Sequence, residues 1–305
     1  MSPRRTRDEE YATARDGRIA RRNGAWAKDK LSFLDQFIPA ALQATIRKKE
    51  RYYVDLFAGP GINVDDDGNE FEGAALRVLK KSAQSDENTG FTHAKLVNLD
   101  PTADAALRER VENHCADGHC LVPHADIAFF RDDANDIIHR IMLSIHAKAY
   151  VFVFADIEKP NQLPYETVQA LKAHGHQSVD FCVLFPGDMA LNRMLPYNRK
   201  ALQPNVAALN KFLGTESWIE LWKERRTEAH SAELHRRIQE LYANQLRALS
   251  WKHVVETRYV HRVGEAGLYK VLLASNSDAA RNLADWSVIK QRRQTSGPDL
   301  FDEHQ

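Results

Sequence analysis

The chain has 305 residues, with 42 basic and 42 acidic side chains and a formal net charge of zero. This length can bury a substantial core, and the zero net charge provides no global field that would attract nucleic acid or membranes. The start is polar and Arg-rich, and no run of about 18 apolar residues occurs. The three cysteines are too few for a disulfide framework. We therefore expect a cytoplasmic protein without a signal peptide or membrane span.

Residues 1–24 are charged and lack apolar periodicity, which predicts a flexible basic arm. Apolar residues then recur at helical spacing between Trp26 and Leu42. From residue 51 onward, strand-like runs alternate with helical patterns. The strand-like runs are Tyr52–Phe57, Ala94–Leu99, Tyr150–Ala155 and Val179–Phe185, and the helical patterns are Ala74–Lys81, Ala103–Asn113, Asn135–Ile145 and Tyr165–Ala173. This order predicts an α/β, Rossmann-like fold with a mostly parallel sheet.

The second half of the chain predicts additions to this core. Residues 196–250 read as helical and charged, whereas Val254–Val260 and Leu268–Ser275 predict a C-terminal β-hairpin before a final helix near residues 278–289. The predicted domains are a flexible basic arm (1–24), a Rossmann-like cofactor-binding core (25–195), a helical insertion for substrate or partner recognition (196–250), a closing hairpin with the final helix (251–291) and a flexible tail (292–305).

The loop after the first predicted strand carries the main functional signal. It reads Asp55-Leu56-Phe57-Ala58-Gly59-Pro60-Gly61, and its glycines allow a sharp turn and a close approach to a ligand. A dinucleotide site would require Gly-x-Gly-x-x-Gly, and the nearby acids Asp65, Asp66 and Asp67 would repel a pyrophosphate. S-adenosylmethionine has no phosphate and carries a sulfonium cation. We therefore predict a site for S-adenosylmethionine, formed by Asp55, Phe57, Ala58, Gly59 and Gly61; a dinucleotide site or a tight structural turn are the alternatives.

Acidic residues also lie at the end of the second predicted strand and just before a later predicted helix. Asp100 is placed to accept hydrogen bonds from the ribose hydroxyls, or else to cap the next helix. The pair Asp133-Ala134 precedes a predicted helix, so its carboxylate could accept from the adenine amino group or again serve as a helix cap. Both positions belong to the predicted cofactor site.

Four other residues are candidates for catalysis. Asp156 follows the fourth predicted strand, whose loop faces the methyl group in this architecture; a surface acid is the alternative. Asp188, Asn192 and Arg193 follow the fifth strand at the same edge of the sheet. We expect these groups to orient the substrate or to support charge that develops during transfer.

Two weaker signals concern metals and nucleic acids. His114-Cys115 and His119-Cys120 lie close together, but a tetrahedral site normally joins two separated pairs, so no metal is predicted. Basic clusters recur along the chain, and several of them with Trp218, Trp222 and Trp251 could bind phosphates and stack bases, although solvated surface charges are the alternative. These clusters are Arg4-Arg5, Arg21-Arg22, Arg47-Lys48-Lys49, Arg225-Arg226, Arg236-Arg237 and Arg292-Arg293.

The motifs together resemble a bacterial family, the three-Cys-motif partner proteins. The resemblance covers roughly residues 25–290 and is carried by Trp26 to Leu34, the Asp55–Gly61 loop, Asp133-Ala134-Asn135, the acidic turn at Asp156, and Phe185-Pro186 followed by Asn192-Arg193. It implies a class I methyltransferase-like fold, S-adenosylmethionine as cofactor and a three-Cys-motif protein, encoded nearby, as partner. The family's cysteines belong to that partner.

The resemblance has one departure and leaves two functions open. The family usually has Asp-Pro-Phe-Gly where this chain has Asp156-Ile157-Glu158-Lys159. We expect an S-adenosylmethionine-dependent methyltransferase that acts on RNA, DNA or a nucleic-acid-associated substrate; the alternative is a non-catalytic interaction protein with the same fold. A cytosine-C5 mechanism would need a cysteine nucleophile after a proline on the fourth-strand loop, and none of the cysteines is placed there, so transfer would be direct.

Overall fold

A computed structural model of the chain describes residues 10–24, 26–84, 89–120, 122–224, 231–261 and 267–283. These residues form a seven-stranded sheet covered by helices on both faces, and a separate four-stranded sheet near the amino terminus. No helix in these ranges is long and apolar enough to cross a lipid bilayer. The predicted flexible tail, residues 292–305, lies outside the described residues.

The large sheet has the strand order β7-β6-β3-β8-β9-β11-β10. Its strands are β3 (Arg51–Asp55), β6 (His93–Asn98), β7 (Ile127–Arg131), β8 (Tyr150–Ala155), β9 (Ser178–Pro186), β10 (His253–His261) and β11 (Gly267–Ser275). The pairs from β7 to β9 are parallel, and β11 is antiparallel to both β9 and β10. The predicted α/β, Rossmann-like fold with a mostly parallel sheet and a C-terminal hairpin is confirmed.

Helices follow the strands of this sheet. They are α1 (Trp26–Ala44), α2 (Ala74–Ala83), α3 (Pro101–Ala116), α4 (Ala134–Leu143), α5 (Tyr165–Ala170), α6 (Asp188–Met194), α7 (Arg199–Leu202), α8 (Val206–Leu213), α9 (Trp218–Glu224) and α10 (Ser231–Ala248). Residues 278–283 are also helical. Because the five strands from β7 to β9 in the sheet order are parallel, their carboxyl ends meet at one edge, where α/β proteins bind ligands.

Both faces of the sheet are buried. Val151 and Val153 of β8 point toward α4 and α5, whereas Phe152 and Phe154 point toward α1 and α2. A strand buried on both faces is continuously apolar, which explains why β8 was predicted with its observed bounds.

The prediction of a flexible arm is wrong for the part of residues 1–24 that forms two strands. Strands β1 (Tyr11–Thr13) and β2 (Ile19–Arg22) form a hairpin, and β2 pairs with β4 (Ile62–Val64), which pairs with β5 (Glu70–Glu72). The hairpin is held by contacts distant in sequence: Arg110 donates two hydrogen bonds to Asp16, at 2.7 and 2.9 Å. Periodicity within residues 1–24 could not reveal such a contact.

The helices of residues 196–250 belong to the main core. The side chains of Phe212, Ile238 and Tyr242 are fully buried in the cluster that covers β8 and β9. Their apolar sides therefore form one layer of the fold, and only their polar sides remain for substrate or partner recognition.

The predicted stacking surface of tryptophans is wrong. Trp218 and Trp251 are buried, and their indole N–H groups donate to Asn210 Oδ1 at 2.8 Å and to the Val179 carbonyl at 2.9 Å. Trp222 is partly buried and donates to the Pro196 carbonyl. The tryptophans are therefore core residues of this part of the chain.

Candidate functional site

The loop from Asp55 to Gly61 is shaped from beneath by a buried carboxylate. Asp55 is 0% exposed. Its Oδ2 accepts a hydrogen bond from the Tyr53 hydroxyl at 2.6 Å, and its Oδ1 accepts from the Phe57 N–H at 3.1 Å. Burial, and after it the Asp55 charge, hold the pKa of Tyr53 well above its usual value, so this hydroxyl stays a donor. Asp55 thus stabilises the loop of the predicted cofactor site from beneath.

Gly59 and Gly61 both adopt the left-handed backbone conformation, with φ of 63° and 87°. A Cβ on Gly61 would lie 3.0 Å from Leu107 Cδ1, whereas a Cβ on Gly59 would have no neighbour within 4 Å. Gly61 is therefore required by the packing beneath the loop. Gly59 borders open space, which is where a bound ligand would approach the backbone.

Neighbouring strands hold the loop in place. Asn98 at the end of β6 donates from Nδ2 to the Gly59 carbonyl at 2.9 Å, and the Ala58 N–H donates to the Val97 carbonyl at 3.0 Å. Asn98 was not among the predicted site residues. Its position at the carboxyl end of a strand next to the glycine loop is a signal that could have identified it.

Asp156 lies with the glycine loop in one cleft. The lining combines the loop with the end of β8 and with β2: Phe57, Ala58, Gly59, Gly61, Asp156, Glu158, Arg21, Asn23 and Asn63 are among its residues. The structure thus brings together four predicted cofactor residues and the main catalytic candidate. The cleft encloses about 40 Å³, far less than the roughly 300–1,000 Å³ of ordinary ligand pockets.

The N-terminal hairpin narrows this cleft. Arg21 on β2 lies 2.6 Å from Glu158 Oε1, across the cleft from its own strand. Burial disfavours the Arg21 cation, but Glu158 and, more weakly, Tyr11 and Asp156 outweigh it, so the pKa of the guanidinium is raised. Arg21 was missed as a site residue because no local pattern connects residue 21 with the end of β8.

Asp100 and Leu99 lie at the same edge, after β6. Asp100 caps α3, since its Oδ1 accepts from the N–H groups of Thr102 at 2.7 Å and Ala103 at 3.0 Å. This geometry is the capping alternative stated above, and it leaves the ribose role a prediction. Leu99 beside it is 71% exposed, an unusual state for an apolar residue at a ligand-binding edge, and it was not singled out from the sequence.

Asp133 and Ala134 mark the start of α4. Asp133 Oδ1 accepts from the backbone N–H and the side-chain amide of Asn135, at 2.8 and 2.9 Å. Ala134 is buried against the main core. Asp133 is therefore a helix cap, and its contact with adenine remains a prediction.

The remaining catalytic candidates lie outside the described cleft lining. Asn192 and Arg193 are exposed on α6. Asp188 begins α6 after β9, but its side chain lies outside the described residues. The structure therefore places Asp156 next to the glycine loop and gives Asn192 and Arg193 a surface position beside the same edge.

No protein-family model and no curated protein matches this sequence. Three solved structures resemble the fold. Protein LPL1258 from Legionella pneumophila is 11% identical, with 86% of this chain and 91% of that chain covered and a TM-score of 0.48. Trm1 from Pyrococcus horikoshii, solved with S-adenosyl-L-methionine, is 13% identical, with 82% and 57% covered and a TM-score of 0.45. An rRNA methylase from Streptococcus thermophilus is 8% identical, with 82% and 95% covered and a TM-score of 0.38.

At these sequence identities the similarity concerns the fold alone. This edge has an open approach at Gly59 in the cleft and, outside the cleft lining, the helix cap Asp100 and the exposed Leu99 after β6. The part of the site beside Asp156 is covered by Arg21. A bound methionine moiety would require the hairpin to shift.

The histidines and cysteines near residue 115 do not assemble a metal site. Among the described residues, no group of at least three His, Cys, Asp or Glu side chains could hold a metal ion. His114 Nε2 lies 3.4 Å from Glu72 Oε1, which also accepts from Lys80 at 2.9 Å. His114 thus contributes to a polar contact between α3 and β5.

Proposed function

We propose that this protein binds S-adenosylmethionine and transfers its methyl group to a nucleic acid or a nucleic-acid-associated substrate, together with a three-Cys-motif partner protein. The observation that carries the proposal is the Gly59 backbone, which is left-handed, open to solvent on its Cβ side and next to Asp156 at the sheet edge where α/β proteins bind ligands. Membership in the three-Cys-motif partner family is part of the proposal and is supported by the sequence motifs.

The chain's own groups divide into an adenosine side and a methyl side. We assign Phe57 to Gly61, Leu99 and Asp100 to the adenosine, with Asp133 and Ala134 at the adenine edge. S-adenosylmethionine would supply an electrophilic methyl group beside Asp156. The Asp156 carboxylate, fixed at the end of a fully buried strand, would orient a nitrogen or oxygen acceptor, stabilise the positive charge that develops on it and take up its proton. S-adenosylhomocysteine would be the leaving group.

The cysteines support direct transfer. Burial raises the pKa of Cys120 to about 12 and raises that of Cys182 well above its usual value. Thiols in this state are poor nucleophiles, and none of the three lies among the described residues that line the cleft. An acceptor aligned by Asp156 needs no covalent intermediate with the protein.

One observation favours the second candidate function, a non-catalytic interaction protein. The cleft holds only about 40 Å³ and is bridged by the contact between Arg21 and Glu158. Glu158 is one of the residues by which this chain departs from the family's Asp-Pro-Phe-Gly. A hairpin that stays closed would preserve the fold and exclude the cofactor.

Calorimetric titration with S-adenosylmethionine separates the two functions. We expect wild type to bind, and Gly59→Leu to lose at least about tenfold in affinity because the new side chain fills the cleft. Gly68→Leu is the matched control: Gly68 is also left-handed, with φ of 81°, and has no atom within 4 Å of its Cβ position. Both variants carry the same strain of about 1–2 kcal/mol. Absence of binding by wild type would instead support the interaction protein.

A further inference from the structure

The segment from Arg193 to Lys200, which we call the basic loop, follows β9 and runs from the last residues of α6 to the first residues of α7. Strand β9 is the parallel neighbour of β8, whose end carries Asp156. The basic loop therefore starts close to the edge where the methyl acceptor would lie. It contains three cationic side chains, Arg193, Arg199 and Lys200, and all three are exposed.

The basic loop is anchored to the core by two hydrogen bonds and one buried side chain. Trp222 donates from its indole N–H to the Pro196 carbonyl at 2.8 Å, and Asn205 donates from Nδ2 to the Met194 carbonyl at 2.9 Å. Leu195 is fully buried in the main core. The loop thus presents its charged side chains from a rigid backbone, which lowers the entropy lost on binding a ligand.

Its charges differ from those of the neighbouring helices. On α9 and α10 the arginines and lysines are paired: Arg236 with Glu233 at 2.8 Å, Arg237 with Glu224 at 2.5 Å and Lys223 with Glu220 at 2.7 Å. Within the ranges that the structure describes, no carboxylate forms a salt bridge with Arg193, Arg199 or Lys200. These three cations of the basic loop therefore have no carboxylate partner among the described residues.

In the sequence, one aromatic residue lies between the cations. Tyr197 is 42% exposed, whereas Trp218 and Trp251 on the same layer are buried. An exposed ring flanked by cations is the arrangement with which proteins bind single strands: the cations contact phosphates and a base stacks on the ring. A base inside a duplex is already stacked and does not offer its face.

We propose that the basic loop binds a single-stranded nucleic acid next to the methyl-transfer edge; this inference rests on the proposed function. This proposal places the phosphate contacts on the basic loop. Arg236 and Arg237, which the sequence suggested for that role, form ion pairs with acids. Phosphates lie against Arg199 and Lys200, and one base stacks on Tyr197. The next base along the strand can then reach toward Asp156.

The test measures binding of short, labelled single-stranded RNA and of DNA of the same sequence by fluorescence anisotropy over a range of salt concentrations. Wild type should bind, with an affinity that falls as salt rises. Loss of two phosphate contacts in Arg199→Gln/Lys200→Gln should reduce the slope of log affinity against log salt by about 1.4, since each single-strand contact contributes roughly 0.7. Tyr197→Ala should weaken binding about fivefold to a hundredfold with little change in this slope.

The matched control is Arg236→Gln/Arg237→Gln. It also removes two positive charges, but from side chains that form ion pairs with acids. We expect its affinity for the strand to stay within about twofold of wild type, because paired surface charges contribute little. Equal losses in both double variants would mean that net charge alone governs binding, and would overturn the proposal. Equal binding of duplex RNA, or no binding of either strand by wild type, would also overturn it.

Calorimetry with S-adenosylmethionine on the same variants keeps the two proposals apart. Arg199, Lys200 and Tyr197 lie outside the cleft lining, so cofactor affinity should be unchanged in all of them. A protein that binds the strand through the basic loop but never binds S-adenosylmethionine would support this inference and refute the proposed function. A protein that binds only S-adenosylmethionine would do the reverse.

Discussion

The guanidinium of Arg21 lies 2.6 Å from the Glu158 carboxylate and joins the N-terminal hairpin to the loop after β8. Glu158 is held in turn, because its N–H and that of Lys159 both donate to Gln162 Oε1, at 2.7 and 2.9 Å. Tyr11, on the partner strand of the hairpin, lies within electrostatic reach of Asp100: burial raises the pKa of its hydroxyl, Arg21 opposes this, and Asp100 adds to it. The hairpin thus reaches both the loop after β8, at Glu158, and the end of β6, at Asp100, on the two sides of the proposed cofactor site.

Glu158→Gln should make the site more accessible. The variant removes the charge that holds Arg21 across the cleft, and a partly exposed ion pair is worth about 0.2–1 kcal/mol, which corresponds to at most about a fivefold gain in the open state. Stopped-flow mixing should show S-adenosylmethionine binding faster by up to that factor. Glu233→Gln, which breaks an exposed pair on α10, should leave the rate unchanged. A slower or equal rate for Glu158→Gln would show that the ion pair does not limit access.

Asp100 can be tested for its two roles separately. Asparagine caps helices about as well as aspartate, so Asp100→Asn should keep the cap on α3 and melt at the wild-type temperature. It replaces one acceptor oxygen with a donor, so hydrogen bonds from two ribose hydroxyls can no longer both form. S-adenosylmethionine affinity should then fall about tenfold, or roughly 1.4 kcal/mol.

Asp100→Ala serves as the comparison, because it removes both the cap and the acceptor. It should lower stability by about 1 kcal/mol and weaken cofactor binding at least as much as Asp100→Asn. If Asp100→Asn binds the cofactor like wild type and only Asp100→Ala is destabilised, Asp100 is a helix cap and nothing more.

The central fold was predictable because its signal is local. Strands buried on both faces, such as Tyr150–Ala155, are continuously apolar in the sequence. Strand β7 was missed because its five residues, of which only Ile127 is buried, are too few to form a clear pattern.

The hairpin and the cleft were not predictable for a different reason. Strands β1 and β2 are short, and they are stabilised by β4 and by Arg110, which lies 94 residues away from Asp16 in the chain. The glycine loop and Asp156 were placed correctly beside each other because parallel strands end at one edge. That Arg21 closes this edge follows only from the long-range pairing.

Arg110 should be essential for the hairpin. It is buried, donates to both carboxylate oxygens of Asp16, and reaches the carbonyls of Ile19 and Pro60 at 2.8 and 2.6 Å. Arg110→Ala removes four hydrogen bonds and leaves Asp16 with only the Arg18 N–H as a donor, so we expect a loss of about 3 kcal/mol in the free energy of unfolding, measured with urea. Because Pro60 belongs to the glycine loop, cofactor affinity should fall as well.

The control for Arg110 is an arginine whose ion pair is exposed. Arg236→Ala breaks the contact with Glu233, and exposed pairs contribute at most about 1 kcal/mol. A loss of less than this amount in Arg110→Ala would show that the hairpin is not held by Asp16 and Arg110.

Asp180 should make stability depend on pH in a direction opposite to that of most carboxylates. It is buried at the start of β9, where it accepts hydrogen bonds from the Ser275 hydroxyl at 2.5 Å and from the Tyr150 hydroxyl at 2.9 Å. Burial raises its pKa from 3.8 to about 6. Between these two values the native state binds the proton more than the unfolded state does, so the free energy of unfolding falls as pH rises through this window.

Urea unfolding of wild type and Asp180→Asn between pH 4 and 7 measures this contribution. Asparagine is neutral throughout, so stability of wild type relative to the variant should decrease from about pH 4 to pH 7 by on the order of 3 kcal/mol, the equivalent of the two-unit difference in pKa. Asp278→Asn is the contrasting control: hydrogen bonds from Lys252 and His253 lower the pKa of Asp278, so its contribution is lost only when pH falls below about 3.8. A constant difference between wild type and Asp180→Asn across the window would mean that Asp180 stays ionised in the folded protein, and that its two hydroxyl donors outweigh burial.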